Sequence, residues 1–173
     1  MGWNTSALFV KDRTADQVLS FLPDVFAYEP RGQQVSAEEA MSGSPRGRIC
    51  LTTSEGWCQL WDPDQRFAPR VEAMIGMDGS GILAGTTALA VLFSSVLSTY
   101  GFWLFEDGKL IRHAMFDTGK PVAEYGTPLP VEGEVDVPSW GHDEDFIWSV
   151  ITAVTDSSGE LDAMFDIYGT AKE

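Results

Sequence analysis

The dipeptide Asp107-Gly108 separates two runs, residues 100–106 and 109–116, that are rich in aromatic and β-branched side chains. Asp-Gly is a preferred centre for a two-residue type I′ turn, because both turn positions need a positive φ. The sequence therefore predicts an antiparallel β-hairpin with its register set by the turn. Any fold of this chain has to contain an antiparallel sheet.

The turn also predicts which side chains face each other across the hairpin. Counting outward from Asp107-Gly108 places Glu106 opposite Lys109 and Trp103 opposite Arg112. We expect an ion pair from the first of these pairs and a cation–π contact from the second.

Patterns elsewhere in the chain place this hairpin in a larger fold. Apolar or alternating runs predict four further strands, at residues 6–10, 48–53, 57–61 and 87–93. Apolar residues at helical spacing follow capping or proline signals at Thr14, Ser36, Pro69 and His142. We therefore expect the α+β class: one globular domain, residues 1–173, in which an antiparallel sheet of hairpins packs with three to four helices.

Three segments have weaker patterns. Residues 26–34 are expected to form a loop, and residues 118–139, which are rich in proline and glycine, to cross the surface without regular structure. Residues 160–168 fit helical spacing and strand alternation equally well. Of the two, a helix that ends before Gly169 is the favoured interpretation.

The chain is strongly acidic, with 26 acidic residues, 11 basic residues and a formal net charge of −15. Residues 117–173 contain half of the acidic residues, but their only basic residues are Lys120 and Lys172. A surface of this sign repels phosphate groups, which argues against nucleic acid and anionic membranes as partners. It favours a basic partner.

The leading functional hypothesis is a non-enzymatic interaction module that binds a basic protein, as immunity and antitoxin-type inhibitors do. The candidate partner-binding residues are carboxylates of the acidic segment: Asp143, Glu144, Asp145, Glu132, Glu134 and Asp136. Two structural interpretations stay open beside it. Acids on a solvated face keep a chain soluble, and those at residues 143–145 complement the positive end of a helix dipole.

The alternative hypothesis is a small enzyme or small-ligand binder with a tryptophan-lined pocket. Six tryptophans are many for 173 residues, although such rings are also common in cores. The expected pocket lies between the hairpin around Trp103 and the helix after His142, with Trp103, Arg112 and Trp140 as candidate lining residues.

No motif in the chain selects a reaction. The P-loop and G-x-S-x-G patterns are absent, and residues 79–84 match the dinucleotide pattern G-x-G-x-x-[GA] without the strand that should precede it. Residues 142–145 could direct only two side chains at one ion. We therefore assign no catalytic residue, no metal and no cofactor.

Cys50 and Cys58 do not form a C-x-x-C motif, and both are expected to be buried. A disulfide between them would need one particular hairpin register among several. The first residues lack a signal-peptide pattern, and glycine, serine and threonine interrupt the uncharged stretch at residues 79–105. We expect a cytoplasmic protein with no membrane span.

Two runs, WLFEDGKLIR from Trp103 to Arg112 and EYGTPLPVE from Glu124 to Glu132, resemble an uncharacterised actinobacterial domain family. In that family a hairpin with the pattern W…EDG.LVR precedes G.PLPFE and a helical tail. This chain has Val131 in place of the phenylalanine, and residues 94–100 are atypical. The resemblance implies a compact single domain and assigns no catalytic residue, because the family has no established activity.

Overall fold

The computed structural model describes residues 2–22, 27–42, 46–71, 73, 81, 83–157 and 163–170. Within these residues, nine strands form one sheet in which all neighbours are antiparallel, in the order β2-β9-β3-β4-β1-β5-β6-β7-β8. The strands are β1 Asn4–Lys11, β2 Tyr28–Ser36, β3 Arg48–Ser54, β4 Trp57–Asp62, β5 Thr87–Ser94, β6 Thr99–Glu106, β7 Lys109–Asp117, β8 Lys120–Gly126 and β9 Met164–Thr170.

The described residues also form four α-helices: α1 Ala15–Phe21, α2 Ala37–Met41, α3 Pro130–Glu134 and α4 Glu144–Thr155, with a short 3₁₀ turn at Ala68–Arg70. Thr14 and Gln17 form the capping box expected at the start of α1. Ser36 caps α2, and its side chain accepts a hydrogen bond from the Glu39 amide. The expectation of an antiparallel sheet with three to four helices is confirmed for the described residues, which contain much more strand than helix.

The sheet is covered on both faces, so alternate residues of a central strand enter different cores. On β5, Leu89, Val91 and Phe93 pack on the face that α2 and α4 cover, which we call the α4 face. Ala88, Ala90 and Leu92 pack on the opposite face with Val18 and Leu22 of the α1 region, which we call the α1 face. Two-sided burial explains why this strand has a continuous apolar sequence.

Three strands were not expected from the sequence. The segment predicted as a loop contains β2, and the segment predicted as irregular contains β8 and α3. Pro30 and Pro121 lie on the two outermost strands, where a missing N–H is tolerated. The favoured helix near residue 165 is wrong: β9 lies between β2 and β3, with Phe165 and Ile167 buried on the α4 face.

The predicted register of the central hairpin is correct only next to its turn. Glu106 pairs with Lys109, but Ile111 is an extra residue in β7, so Leu104 pairs with Arg112 and Trp103 with His113. This bulge directs Trp103 and Arg112 to opposite faces of the sheet. The expected cation–π contact is therefore wrong, and Glu106 forms no ion pair with Lys109.

The two cysteines lie on opposite faces of the sheet. Cys50 pairs with Trp61 and Cys58 with Thr53, and both thiols are free and fully buried. Cys50 belongs to the core of the α4 face and Cys58 to that of the α1 face. Because of this separation, the hairpin cannot contain a Cys50–Cys58 disulfide.

Two sequence predictions concern the segment between the 3₁₀ turn and β5. The apolar stripe at Val71, Met74 and Ile75 and the glycine motif at residues 79–84 lie largely outside the described residues. Most of the uncharged stretch at residues 79–105 forms β5 and β6. Among the described residues, no helix has the length and apolar character that crossing a bilayer requires.

Candidate functional site

An open depression of about 520 Å³ lies at one end of the sheet, on the α4 face. The β5–β6 turn, the β7–β8 turn and the start of α4 meet there. Its lining includes Ser95, Tyr100, Trp140, His142, Asp143 and Glu144. Aromatic, hydroxyl and carboxylate groups thus converge on one surface feature, which we call the Trp140 depression.

The first turn of α4 fixes the indole ring of Trp140. Asp143 caps the helix, since its Oδ1 accepts a hydrogen bond of 3.1 Å from the Asp145 amide. Its Oδ2 accepts a 2.9 Å hydrogen bond from Nε1 of Trp140. The indole is 71% exposed, yet its orientation is determined by the capping carboxylate.

A close backbone contact holds the same segment against the β7–β8 turn. The His142 amide donates a 3.1 Å hydrogen bond to the Gly119 carbonyl, and the imidazole stacks on Phe116 at a centroid distance of 4.0 Å. Gly119 has a φ of 76°, and a Cβ there would collide with the Trp140 carbonyl oxygen. Only glycine therefore fits at position 119.

A chain of hydrogen bonds runs along the inner wall of the depression. The Tyr100 hydroxyl donates to Ser95 Oγ at 3.3 Å, and Ser95 Oγ donates to Glu144 Oε2 at 3.2 Å. The same carboxylate oxygen accepts a 3.4 Å hydrogen bond from the Trp3 amide. Glu144 thereby connects α4 to Trp3, the residue before β1, and to the β5–β6 turn.

Two exposed apolar side chains lie beside the depression, and we call them the apolar rim. Val96 and Leu97 are 80% and 68% exposed, and they lie in the turn between Ser95 and Ser98, both of which line the depression. Together with Trp140 they place three large apolar side chains in solvent at one end of the molecule. Clusters of this kind mark interaction sites on protein surfaces.

No family model, curated protein or solved structure matches this chain. The resemblance to the actinobacterial family therefore stays a prediction.

The structure places the six candidate partner-binding carboxylates in three different settings. Asp143 and Glu144 line the Trp140 depression, and Glu134 and Asp145 line a groove between α3 and α4. Asp136 is exposed between α3 and Trp140. Glu132 is different, because both of its carboxylate oxygens bind Arg112 and its side chain is only 9% exposed.

The three candidate ligand-pocket residues do not form one pocket. Trp140 lines the depression, whereas Trp103 is buried on the α1 face and Arg112 on the α4 face. The guanidinium of Arg112 donates to Glu124, to Glu132 and to the carbonyls of Tyr125 and Gly126. All of its N–H groups have partners within the protein. We therefore assign Arg112 a structural role in place of the predicted role in ligand binding.

The residues of the apolar rim were missed by sequence reasoning. The only signal for Val96 and Leu97 was their position in an irregular stretch between two strands, which does not predict exposure. Among the described residues, no group of three or more histidine, cysteine or acidic side chains is arranged to hold a metal ion.

Proposed function

We propose that this protein is a non-enzymatic interaction module, and that its Trp140 depression binds a basic protein partner. The observation that carries the proposal is the exposure of Trp140 in a depression that also contains carboxylates, with Val96 and Leu97 exposed in the adjoining turn. Tryptophan is among the residues most enriched in protein-binding hot spots.

The charge around this cluster supports a basic partner. Asp143 and Glu144 line the depression, Asp145 is exposed beside it, and Asp117 ends β7 one residue before Thr118, another lining residue. Lys120 begins β8 nearby and offsets part of this charge. With a net charge of −15, the chain attracts a basic protein over long range and repels acidic ones.

The edges of the sheet are protected against the addition of a strand from another chain. A partner protein therefore has to bind through side chains on the surface. The outermost strands β2 and β8 each contain a proline and a break in register, near Pro30 and near Pro121. Prolines and bulges at an edge discourage pairing with another chain.

The first experiment is capture from a lysate of the native cell, followed by titration of the purified captured protein. Trp140→Ala should weaken its binding by at least about tenfold, as expected for a buried aromatic anchor. Val122→Ala is the matched control, because Val122 is a 60% exposed apolar residue on β8 that does not line the depression. Binding of the captured protein should also weaken as salt is added.

Capture alone does not support the proposal. It is supported by a basic protein whose affinity falls with Trp140→Ala and not with Val122→Ala. It is overturned when no protein is retained, when both variants bind equally well, or when the affinity is insensitive to salt.

A further inference from the structure

A second depression, of about 630 Å³, lies near the β6–β7 turn and shares no lining residue with the Trp140 depression. It is lined by Lys109, Leu110, Ile111, His113 and Tyr125, all from β7 and β8. Its volume is in the range of small-molecule sites, and one cationic, two aliphatic and two aromatic side chains surround it. None of these residues takes part in the proposed protein interaction.

An incomplete ring stack forms one wall of this depression. Trp103 and His113 are cross-strand partners, and their rings stack at a centroid distance of 4.7 Å with an interplanar angle of 14°. Tyr125 is the next partner in the row, opposite His113 on β8, but its ring makes no contact with the imidazole. Among the described rings, Trp103 stacks on the imidazole and Tyr125 does not.

The geometry of the row leaves space for one more ring. Neighbouring strands of a sheet are about 4.8 Å apart, so a Tyr125 ring standing upright would lie against His113. Instead Tyr125 is 56% exposed, and its ring does not stack on His113. Leu110 and Ile111 line the same depression as these two rings, and we call this depression the His113 slot.

Two polar groups of the slot are available to a ligand. His113 Nδ1 lies 2.9 Å from the Phe102 carbonyl and donates to it, so in the neutral ring Nε2 is an acceptor without a partner in the described part of the chain. Lys109 forms no ion pair with any described residue, even though Glu106 is its cross-strand partner. Its ammonium group is therefore available to an anion.

We propose that the His113 slot binds a small planar aromatic ligand that carries an anionic group, such as an aromatic carboxylate. The aromatic ring completes the stack between His113 and Tyr125, and the carboxylate pairs with Lys109. Leu110 and Ile111 contact the edge of the ring. This site is independent of the proposed protein interaction, and either can fail without the other.

The chain is well suited to a direct test, because His113 and His142 are its only histidines. We would label both at Cε1 with ¹³C and titrate the protein with 2-naphthoate, using 2-naphthylmethylammonium as the probe of opposite charge. A ring stacked on His113 should move the His113 Hε1 resonance upfield and saturably. The His142 resonance should stay in place, and it also reports that the fold is intact.

Three variants separate the parts of the site. Tyr125→Ala should weaken 2-naphthoate binding about three- to tenfold, the range for loss of one aromatic partner. Lys109→Gln should weaken it about two- to fivefold, as expected for an exposed ion pair. Lys120→Gln is the matched control, since Lys120 is an exposed lysine on β8 that does not line the slot; it should leave the affinity unchanged.

The proposal is overturned when His113 does not respond to millimolar 2-naphthoate, or when both histidines respond alike, which indicates non-specific adsorption. Stronger binding of the cationic probe, or equal effects of Lys109→Gln and Lys120→Gln, would overturn the assignment of an anionic ligand.

Discussion

Arg112 and Glu132 form a bidentate ion pair that joins β7 to α3. Arg112 Nε lies 2.9 Å from Glu132 Oε2, and Arg112 Nη2 lies 2.7 Å from Glu132 Oε1. The hydrogen bonds that Arg112 donates to Glu132 raise the pKa of Arg112, which is 2% exposed, although burial acts in the opposite direction. Glu132 Oε2 also accepts a 2.6 Å hydrogen bond from the Leu129 amide, so one carboxylate fixes the start of α3.

Removing this carboxylate leaves a buried guanidinium without its main partner. We expect Glu132→Ala to lower the free energy of unfolding by about 3 kcal/mol, the cost typical of breaking one side of a buried pair. The matched control is Glu134→Ala, an exposed glutamate of the same helix, which should change stability by no more than about 0.5 kcal/mol. Urea unfolding followed by tryptophan fluorescence measures both. Equal effects of the two variants would contradict a structural role for the pair.

Gly119 and Gly108 allow a similar comparison for the backbone beneath Trp140. Both have left-handed φ values, 76° and 72°, so alanine strains both turns in the same way. A Cβ at Gly119 collides with the Trp140 carbonyl, whereas a Cβ at Gly108 meets nothing within 4 Å. Gly119→Ala should therefore cost about 1–3 kcal/mol more than Gly108→Ala.

A second measurement shows whether the Gly119 collision displaces the Trp140 segment. The His142 Hε1 resonance senses the Phe116 ring on which the imidazole stacks. It should move in Gly119→Ala and remain in place in Gly108→Ala. An unmoved resonance together with equal stability losses would show that the segment is not held through Gly119.

Alanine variants of Trp140 and Trp61 should distinguish an effect on partner binding from an effect on stability. Trp61 is fully buried, stacked against Phe93 and Trp148, so Trp61→Ala should cost about 3–5 kcal/mol. Trp140 is mostly exposed and forms one side-chain hydrogen bond, so Trp140→Ala should cost no more than about 1 kcal/mol. Thermal unfolding measures both. A large stability loss in Trp140→Ala would mean that its ring supports the fold and that its effect on binding is indirect.

Local signals in the sequence were sufficient for several elements. The Asp107-Gly108 turn, the capping box at Thr14 and the acidic start of α4 are each encoded within a few residues, and the structure has all three. The strand β9 was missed because its residues satisfy two periodicities at once. The strand forms because these residues pair with β2 and β3, which are more than a hundred residues away in the chain.

The candidate site was harder to predict for the same reason. Asp143 and Trp140 were identified from the sequence, but one added residue in β7, Ile111, moved Trp103 and Arg112 to opposite faces of the sheet. A bulge has no reliable local sequence signal when the turn itself is regular. The exposure of Val96 and Leu97 could not be predicted, because it depends on what packs against their side chains. That is a property of the whole fold and not of the local sequence.

Because the two thiols are buried, we expect the protein to lose stability at alkaline pH. Burial raises the pKa of Cys50 from 9.0 to about 12 and that of Cys58 from 9.0 to about 11. The folded chain therefore keeps both protons at a pH where the unfolded chain has released them. Unfolding then releases protons, and the free energy of unfolding falls as pH rises above about 9, by about 1.4 kcal/mol per pH unit for each thiol.

The variant that carries both Cys50→Ala and Cys58→Ala isolates this effect, because alanine has no proton to release. Urea unfolding at pH 8 and pH 10, with a phosphine reductant present, should show a larger loss in the wild-type protein than in the variant, by about 1 kcal/mol or more for each thiol. Burial also raises the pKa of Tyr28 to about 12, and that contribution is common to both proteins and cancels in the difference. Parallel losses would mean that the thiols titrate alike in the folded and unfolded chains, which burial on the two faces of the sheet does not permit.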